Sequence, residues 1–576
     1  MKRADCLLAT KYAAAATALT LLINFGLSGY WVFLFTGAVI TAIALLGVGL
    51  VANRAGMIAL CQMSFAAIGA WVVAWLNVQQ APGTLILWCL LGGLAAVPFG
   101  IAIGLPALRL RGINLAIVTL GFAAAFDVVL LSYTFPGQTK YIFVQRPDFL
   151  GSDQAYFAFC VAVFAVIAFV LDMISRRPLG ASWLSIRHSE RSTAAHGVSI
   201  PHSKLSAFAI SAFIAGLSGG LLAGQLGTLV AESFTLLVSM VYYVVATMAG
   251  AHLAEGAVFG GILVIFFPEL LRRVGLPQDI GNIFFALGAT QALSLGGTMA
   301  EDLRKLLRKL FGHKTPKINA TVHVTAADVR PPPVSDNAPT VLAIKDLTVR
   351  YGAVVALQNM TFNVLEKSVV GLIGPNGAGK STLIDAVTGF LAGYEGSVML
   401  QGQDLNGLPA HMCARRGIRR TWQQTRIAPQ LDVGTYLNLA AGTSLSSQQQ
   451  KDILDWIGCP QAATVISSID AGTRRLLDIA GTLVSNPKIV LLDEPAAGLS
   501  HEESVALAAR ISEIPQRFGA SVLLVEHDME LVRMVCNSLV VLDFGRVIAA
   551  GPTRATLNDP AVIKAYVGAP EELLAS

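Results

Sequence analysis

The sequence predicts a polytopic α-helical membrane domain of eight to ten spans, followed by a soluble α/β domain. Three observations carry this expectation. Of 576 residues, 54% are hydrophobic and 13% charged, with a mean hydropathy of +0.63, whereas soluble chains carry about 25% charged residues. Charge is unevenly divided: residues 1–311 hold 19 Lys/Arg against 12 Asp/Glu, and the remainder holds 22 against 24. Near residue 340 long apolar stretches give way to short β-branched runs separated by polar turns, a change from spanning helices to buried strands. A disordered or purely soluble chain is excluded.

Crossing the hydrocarbon layer takes about 20 apolar residues in a helix. Candidate spans run near 12–32, 33–53, 57–77, 84–106, 113–132, 155–174, 205–227, 229–250, 253–271 and 280–299. The basic, then apolar, N-terminus resembles a signal peptide, but lacks a clear small-residue cleavage site, so it reads as an uncleaved first helix. With Lys2 and Arg3 inside, alternation puts Arg54, Arg109 and Arg111 inside, as well as the basic loop 176–204. Ten spans return the tail EDLRKLLRKLFGHK to the same side but leave Arg272 and Arg273 outside. A re-entrant later segment would reduce the count to eight or nine. The glycines of GLSGGLLAG (216–224) and AGAHLAEGAVFGG (249–261) suit close helix packing, or broken helices along a substrate path. Asp127, inside GFAAAFDVVLLS, is the intramembrane charge that most invites a pathway role. Glu232, Glu255 and Glu269 lie near helix ends, where water is the expected partner.

Residues 312–340 contain three consecutive prolines and no apolar periodicity, and read as a linker. The domains expected are therefore 1–311, this linker, and 341–576. Seven cysteines lack any CxxC spacing, which indicates neither a disulfide framework nor a zinc site. The basic excess behind the pI of 8.8 sits in the membrane half. Topology accounts for it there, and no nucleic-acid partner is expected.

In the soluble half, Gly374-Pro375-Asn376-Gly377-Ala378-Gly379-Lys380-Ser381 lies between a strand-like and a helix-like stretch. That context is the one a phosphate-binding P-loop demands. Glycines let the backbone wrap phosphate oxygens, Lys380 reaches the outer phosphates, and Ser381 ligates Mg²⁺. In KIVLLDEPAAGLS, a buried strand ends at Asp493, which can hold the Mg²⁺ shell, and Glu494, which can polarise a water. The run SVLLVEH ends in His527, at another strand terminus.

Together these motifs resemble the nucleotide-binding domain of ABC transporters. The resemblance implies an α/β P-loop domain with a helical subdomain, binding ATP and Mg²⁺. It assigns Tyr351 to stack on adenine and Gly374, Asn376, Gly377, Gly379, Lys380, Ser381 and Thr382 to the ATP phosphates. It makes Gln423 the Q-loop glutamine, a Mg²⁺ ligand beside Ser381 and Asp493, and Glu494 the catalytic glutamate. Ala497–Ser500 becomes the D-loop and His527 the switch histidine. VLDFGRVIAAGPTRATLNDPAVIKAYVG and DEPAAGLS narrow the resemblance to the branched-chain amino acid (Liv-type) uptake systems. LRLRGINLAIVTLGF, SFAAIGAW and KLSAFAISAFIAGLSGGLLA resemble their permease subunit. The loop IRHSERSTAAHGVSI resembles the one that docks on the ATPase, with Glu190 and Gly197 at its matched positions.

One departure stands out. The LSGGQ signature aligns with Ile469-Asp470-Ala471-Gly472-Thr473. Gly472 is kept, but Asp470 replaces the serine that contacts the γ-phosphate in a partner's site, and a carboxylate there repels phosphate unless a cation such as Arg474 or Arg475 intervenes. The expectation is a heterodimer with a second Liv-type ATPase subunit, alongside a second permease subunit, a periplasmic solute-binding protein and the lipid bilayer of a bacterial inner membrane. The activity implied is ATP-driven uptake of branched-chain amino acids, with urea, amides or other amino acids as alternative cargo. Two other classes compete: an ABC half-exporter, which has six spans with long polar helix extensions, and a membrane-anchored ATPase that transports nothing.

Overall fold

The computed structural model describes residues 3–110, 112–277, 280–295, 298–310, 329–335 and 337–567. Lys2, Arg111, most of the 312–340 linker and Gly568 lie outside the described residues. Two compact units emerge: residues 1–187 with 200–316, and residues 188–199 with 317–576. The segment 188–199, inserted in sequence between two apolar stretches, thus belongs to the C-terminal unit.

The first unit is helical. Its helices are α1 (Arg3–Gly26), α2 (Gly29–Gly49), α3 (Gln62–Val78), α4 (Leu85–Gly104), α5 (Ile113–Ser132), α6 (Asp153–Ser175) and α7 (Pro178–His188). The 188–199 segment contributes α8 (Glu190–Ala195) to the other unit. Then follow α9 (Ile200–Leu226), α10 (Leu236–Ala249), α11 (Ala254–Val274), α12 (Ile280–Leu295) and α13 (Met299–Leu310). Among the described residues, seven helices are long and apolar enough to cross a membrane, and the 17-residue α3 is apolar but shorter. Each of the ten candidate stretches contains a helix, but several boundaries differ.

The first candidate, 12–32, straddles a break: α1 ends at Gly26 and Ser28, in extended conformation, starts α2. Two glycines flank that break and disfavour continuing one helix through it. The third candidate starts five residues early, because Gly56 adopts φ +68° and the chain to Cys61 is not helical. Non-helical backbone inside a bundle needs partners for its N–H groups. Here Leu60 N–H donates to Thr119 Oγ1 of α5 (3.1 Å) and Met63 N–H to Ser239 Oγ of α10 (3.0 Å).

Helix α9 is central and its glycines serve packing. A Cβ on Gly219 would lie 1.9 Å from the Ala66 carbonyl oxygen of α3, and one on Gly216 2.7 Å from that of Gly92 of α4. Gly261 of α11 meets the Ala38 carbonyl of α2 in the same way, at 2.2 Å. Backbones at this separation exclude any side chain, the small-residue packing of membrane helices. Asp127 caps a neighbouring helix: its Oδ2 accepts the Leu236 N–H at the start of α10 (2.8 Å). Arg272 and Arg273, which a ten-span topology would leave outside, are neutralised locally. Glu269 pairs with Arg272 and Arg273 (both 2.8 Å) and accepts from Tyr30 Oη, while Arg273 stacks 4.7 Å from the Trp31 ring. Glu269 and Glu255, expected to rely on water, are ion-paired; Glu255 binds Arg304 of α13.

The second unit is α/β. Strands β1 (Thr340–Tyr351), β2 (Val354–Leu365), β3 (Val369–Ile373), β4 (Glu395–Leu400) and β5 (Gln403–Asp404) are followed by β6 (Ile418–Arg420), β7 (Ile489–Asp493), β8 (Ser521–Val525), β9 (Ser538–Asp543) and β10 (Arg546–Pro552). One antiparallel sheet has the order β2-β1-β4-β5; the other runs β10-β9-β3-β8-β7-β6, parallel from β9 to β6. Strands β3 and β8 are buried throughout and contain only apolar residues, serine and glycine, as expected for a parallel sheet covered on both faces. Helix α14 (Lys380–Val387) follows β3 directly. A helical region comprises α15 (Ala410–Arg416), α16 (Val433–Ala441), α17 (Ser447–Ile457) and α18 (Ala471–Leu483). Helices α19 (His501–Phe518), α20 (Met529–Val535), α21 (Thr553–Leu557) and α22 (Pro560–Val567) complete it.

Candidate functional site

Three parallel strands deliver their C-terminal ends to one place, the usual ligand edge of an α/β sheet. From β3 the chain enters the glycine loop. Gly374, Gly377 and Gly379 have φ of +151°, +85° and +102°. A Cβ at Gly374 would lie 2.2 Å from the Leu542 carbonyl oxygen, so both the φ and the space demand glycine. Asn376 is exposed on the loop, Lys380 and Ser381 open α14, and Thr382 is half-buried behind them. Lys380 Nζ donates to the carbonyls of Gly374 (2.7 Å) and Pro375 (3.0 Å). Burial lowers its pKa, against the opposing pull of Glu494 and Asp493. Tyr351 is half-exposed at the end of β1, in the hairpin whose Ala356 and Leu357 abut Gly379.

From β7, Asp493 and Glu494 emerge. Glu494 holds a left-handed φ of +47°, fixed by its N–H bond to the Val525 carbonyl of β8 (2.9 Å). Its carboxylate receives Gln423 Nε2 at 2.6 Å on one oxygen and faces His527 Nε2 at 3.1 Å on the other. Residues 423, 494 and 527, far apart in the chain, thus converge on one carboxylate. The neighbouring Glu526 is buried, which raises its pKa, and it accepts the backbone N–H groups of Ala496 (2.8 Å) and His527 (3.0 Å). A cleft of about 340 Å³ opens beside this group, lined by Glu494, Ser500, Glu526 and His527 among others.

Asp493 does not stand alone. Arg420, at the end of β6, donates to Asp493 Oδ2 (3.2 Å) and to Asp385 Oδ1 of α14 (2.6 Å). Burial raises the pKa of Asp493, and Arg420 counters it. Asp470 is the N-cap of α18, with its oxygens taking the Thr473 N–H (2.8 Å) and hydroxyl (2.7 Å). Burial pushes its pKa up, but these hydrogen bonds outweigh it and the net shift is downward. The two arginines that could offset it both donate to backbone carbonyls: Arg474 to that of Ile469 (2.7 Å), and Arg475 to those of Gln423, Pro495 and Ala497. Gly472 follows on the first turn of α18.

Glu190 opens α8, and Gly197, at φ +80°, offers its carbonyl to Arg415 Nε (2.8 Å). Beside it His196 is fully buried, with Nε2 3.2 Å from Tyr436 Oη, which donates to Asp478 (3.1 Å). Sequence reasoning missed Arg420, Asp385, Glu526 and this buried triad, and it did not foresee that Arg475 binds the Gln423 carbonyl. The only local signal was polar: RRTWQQ places two arginines in a buried strand, and Glu526 ends an apolar one.

Comparison with known proteins completes the picture. Residues 30–287 match the family described as branched-chain amino acid transport system / permease component, and residues 357–497 match ABC transporter. The high-affinity branched-chain amino acid transport ATP-binding protein BraF of Pseudomonas aeruginosa is 34% identical over 250 residues, covering 98% of that protein and 40% of this chain. The chain belongs to the branched-chain amino acid ABC transporter family. LivG of Escherichia coli K12, a high-affinity branched-chain amino acid transport ATP-binding protein, is 34% identical, with 97% of it and 39% of this chain covered. The lipopolysaccharide export system ATP-binding protein LptB of Haemophilus influenzae is 31% identical over 238 residues, 98% of its length and 40% of this chain. A nucleotide-free ATP-binding cassette from an ABC transporter aligns at 26% identity and TM-score 0.36, covering 40% of this chain and all of that one. This family member is an ATPase with a membrane-embedded permease half and a cytoplasmic ATP-binding cassette. Its family works with partner permease, ATPase and substrate-binding components.

Proposed function

We propose that the chain is the fused permease and motor subunit of an importer that draws branched-chain amino acids, or related small polar solutes, across a bacterial inner membrane. The observation that carries the motor reading is the convergence of Gln423 and His527 on Glu494, at the sheet edge that also holds the Lys380 loop. ATP would bring its phosphates into the glycine loop, and Lys380 would exchange the Gly374 and Pro375 carbonyls for phosphate oxygens. Tyr351 would carry the adenine. Glu494 would orient a water in line with the γ-phosphate and accept its proton. His527 and Gln423 hold that carboxylate from both sides, so its orientation is set before nucleotide arrives.

The Ser381 hydroxyl, the Asp493 carboxylate and the Gln423 amide oxygen would supply an all-oxygen donor set, which suits a hard divalent cation. Bound there, Mg²⁺ would neutralise charge developing on the transferred phosphoryl group. Asp470 and Gly472 would face the nucleotide of a second, Liv-type ATPase subunit, and the anionic Asp470 favours a heterodimer. A second permease subunit and a periplasmic solute-binding protein complete the assembly. The 188–199 segment, through Glu190 and Gly197, would couple permease to motor.

Reconstitution of the full assembly in liposomes tests this reading. Loaded binding protein should stimulate ATP hydrolysis, and labelled leucine, isoleucine or valine should accumulate inside, on the side where the binding protein is absent. Glu494→Gln should keep ATP binding and lose about 10²–10³ in turnover, the usual cost of removing a transition-state contact. Normal uptake by Glu494→Gln, or efflux in place of uptake, would overturn the assignment.

A further inference from the structure

Four charged side chains of the second unit form a continuous line. Arg191 of α8 binds Asp385 Oδ2 at 2.5 Å. Arg420 binds the other oxygen of the same carboxylate at 2.6 Å, and reaches Asp493 Oδ2 at 3.2 Å. The line begins at a side chain 45% exposed and ends at one 3% exposed against Asp493. Aromatic rings fix its course: Trp422 lies 4.0 Å from the Arg420 guanidinium and 5.2 Å from that of Arg191, and Phe390 lies 5.0 Å from Arg191. Asp385 sits on α14, the helix that begins with Lys380.

We propose that Arg191, Asp385 and Arg420 form an ion-pair chain that reports the seating of the 188–199 segment to Asp493, with Arg420 as a positioning residue for that carboxylate. The proposal rests on the reading of Asp493 as the Mg²⁺-side aspartate. Its sign follows from charge. Two arginines and two aspartates sum to zero when the segment is seated. Withdrawing Arg191 leaves the Asp385–Arg420–Asp493 group with one net negative charge beside the metal position. Asp385, relieved of one partner, also draws Arg420 toward itself and frees Asp493. Both effects favour a divalent cation, so a seated segment loosens Mg²⁺–nucleotide and a lifted one tightens it. A plain fastening role for Arg191, as a clip between α8 and α14, predicts no such selectivity.

The quantity to measure is the Mg²⁺ advantage, the ratio of ATP dissociation constants in chelator and in Mg²⁺, on the full chain in nanodiscs. Arg191→Met keeps the hydrocarbon stem against Phe390 and Trp422 but removes the charge. It should raise the Mg²⁺ advantage about two- to fivefold, the range of a partly exposed ion pair, with affinity in chelator equal to or below that of the wild type. Arg191→Lys should restore the wild-type ratio. In an Arg420→Lys background, where a point charge cannot bridge two carboxylates, the effect of Arg191→Met should shrink. Equal changes with and without Mg²⁺, no change in either, or an undiminished effect beside Arg420→Lys would each overturn the chain. A wild-type protein with no Mg²⁺ advantage would instead refute the reading of Asp493.

Discussion

At the scale of single residues, the nucleotide loop tolerates little. Gly379 combines φ +102° with a Cβ position 2.6 Å from Leu357 Cδ2 and 3.0 Å from the Ala356 carbonyl oxygen. Gly379→Ala should therefore cost about 1–3 kcal/mol in backbone strain and weaken ATP binding, readable by nucleotide titration and thermal unfolding of the same sample. Asp470 offers a cleaner lever than its alignment implies. Because it caps α18, Asp470→Ala should lose about 1 kcal/mol, while Asp470→Ser should keep the cap. If the carboxylate also impedes a facing phosphate, Asp470→Ser should raise ATP hydrolysis by the chain without its ATPase partner. A chain that already turns over rapidly, and is indifferent to this change, would leave the heterodimer without support.

At the scale of elements, the first unit is organised by backbone contact more than by side-chain interdigitation. Helix α9 lies against α3 where Gly219 meets the Ala66 carbonyl and Gly69 the backbone of Gly216. Gly219→Val must push the two helices apart, because backbone cannot yield as a flexible side chain does. An overpacked site typically costs about 1–3 kcal/mol, so the melting temperature in detergent should drop while the cassette retains ATP binding. An unchanged melting temperature would show that the helices separate freely. These contacts were half legible beforehand. The glycine runs announced close packing, but the sequence could not say which carbonyl each glycine would meet. Asp127 was legible only as an anomaly, and its partner, the start of α10, lies 109 residues away.

At the scale of the whole molecule, the 188–199 segment ties sequence inserted among apolar stretches into the cassette's own core. His196 is buried beneath Tyr436, Asp478 and Arg419, and burial, aided by Arg419, lowers its pKa to about 3. The unfolded chain therefore takes up the histidine proton first, and stability falls as pH drops from about 6.5 toward 3. Burial raises Asp478 to about 6, so it opposes that loss between about pH 6 and 4. His196→Gln removes only the histidine contribution, and its stability relative to wild type should improve by about 2 kcal/mol between pH 7 and 5. A constant difference would mean the imidazole is not held neutral. Gly197, at φ +80° with Arg415 3.3 Å from its Cβ position, should not accept a bulky residue. Gly197→Leu should uncouple hydrolysis from uptake at unchanged ATP affinity; lost ATP binding would indicate misfolding instead. The sequence by itself determined the two-part architecture, the phosphate loop and the acidic strand end, because apolar run length, glycine spacing and strand termini are local properties. Only the tertiary structure decided that Arg191, Asp385, Arg420 and Asp493 form one line, and that Gln423 and His527 share Glu494. Such partners are set by strand order and helix docking, which bring together residues that no spacing along the chain relates.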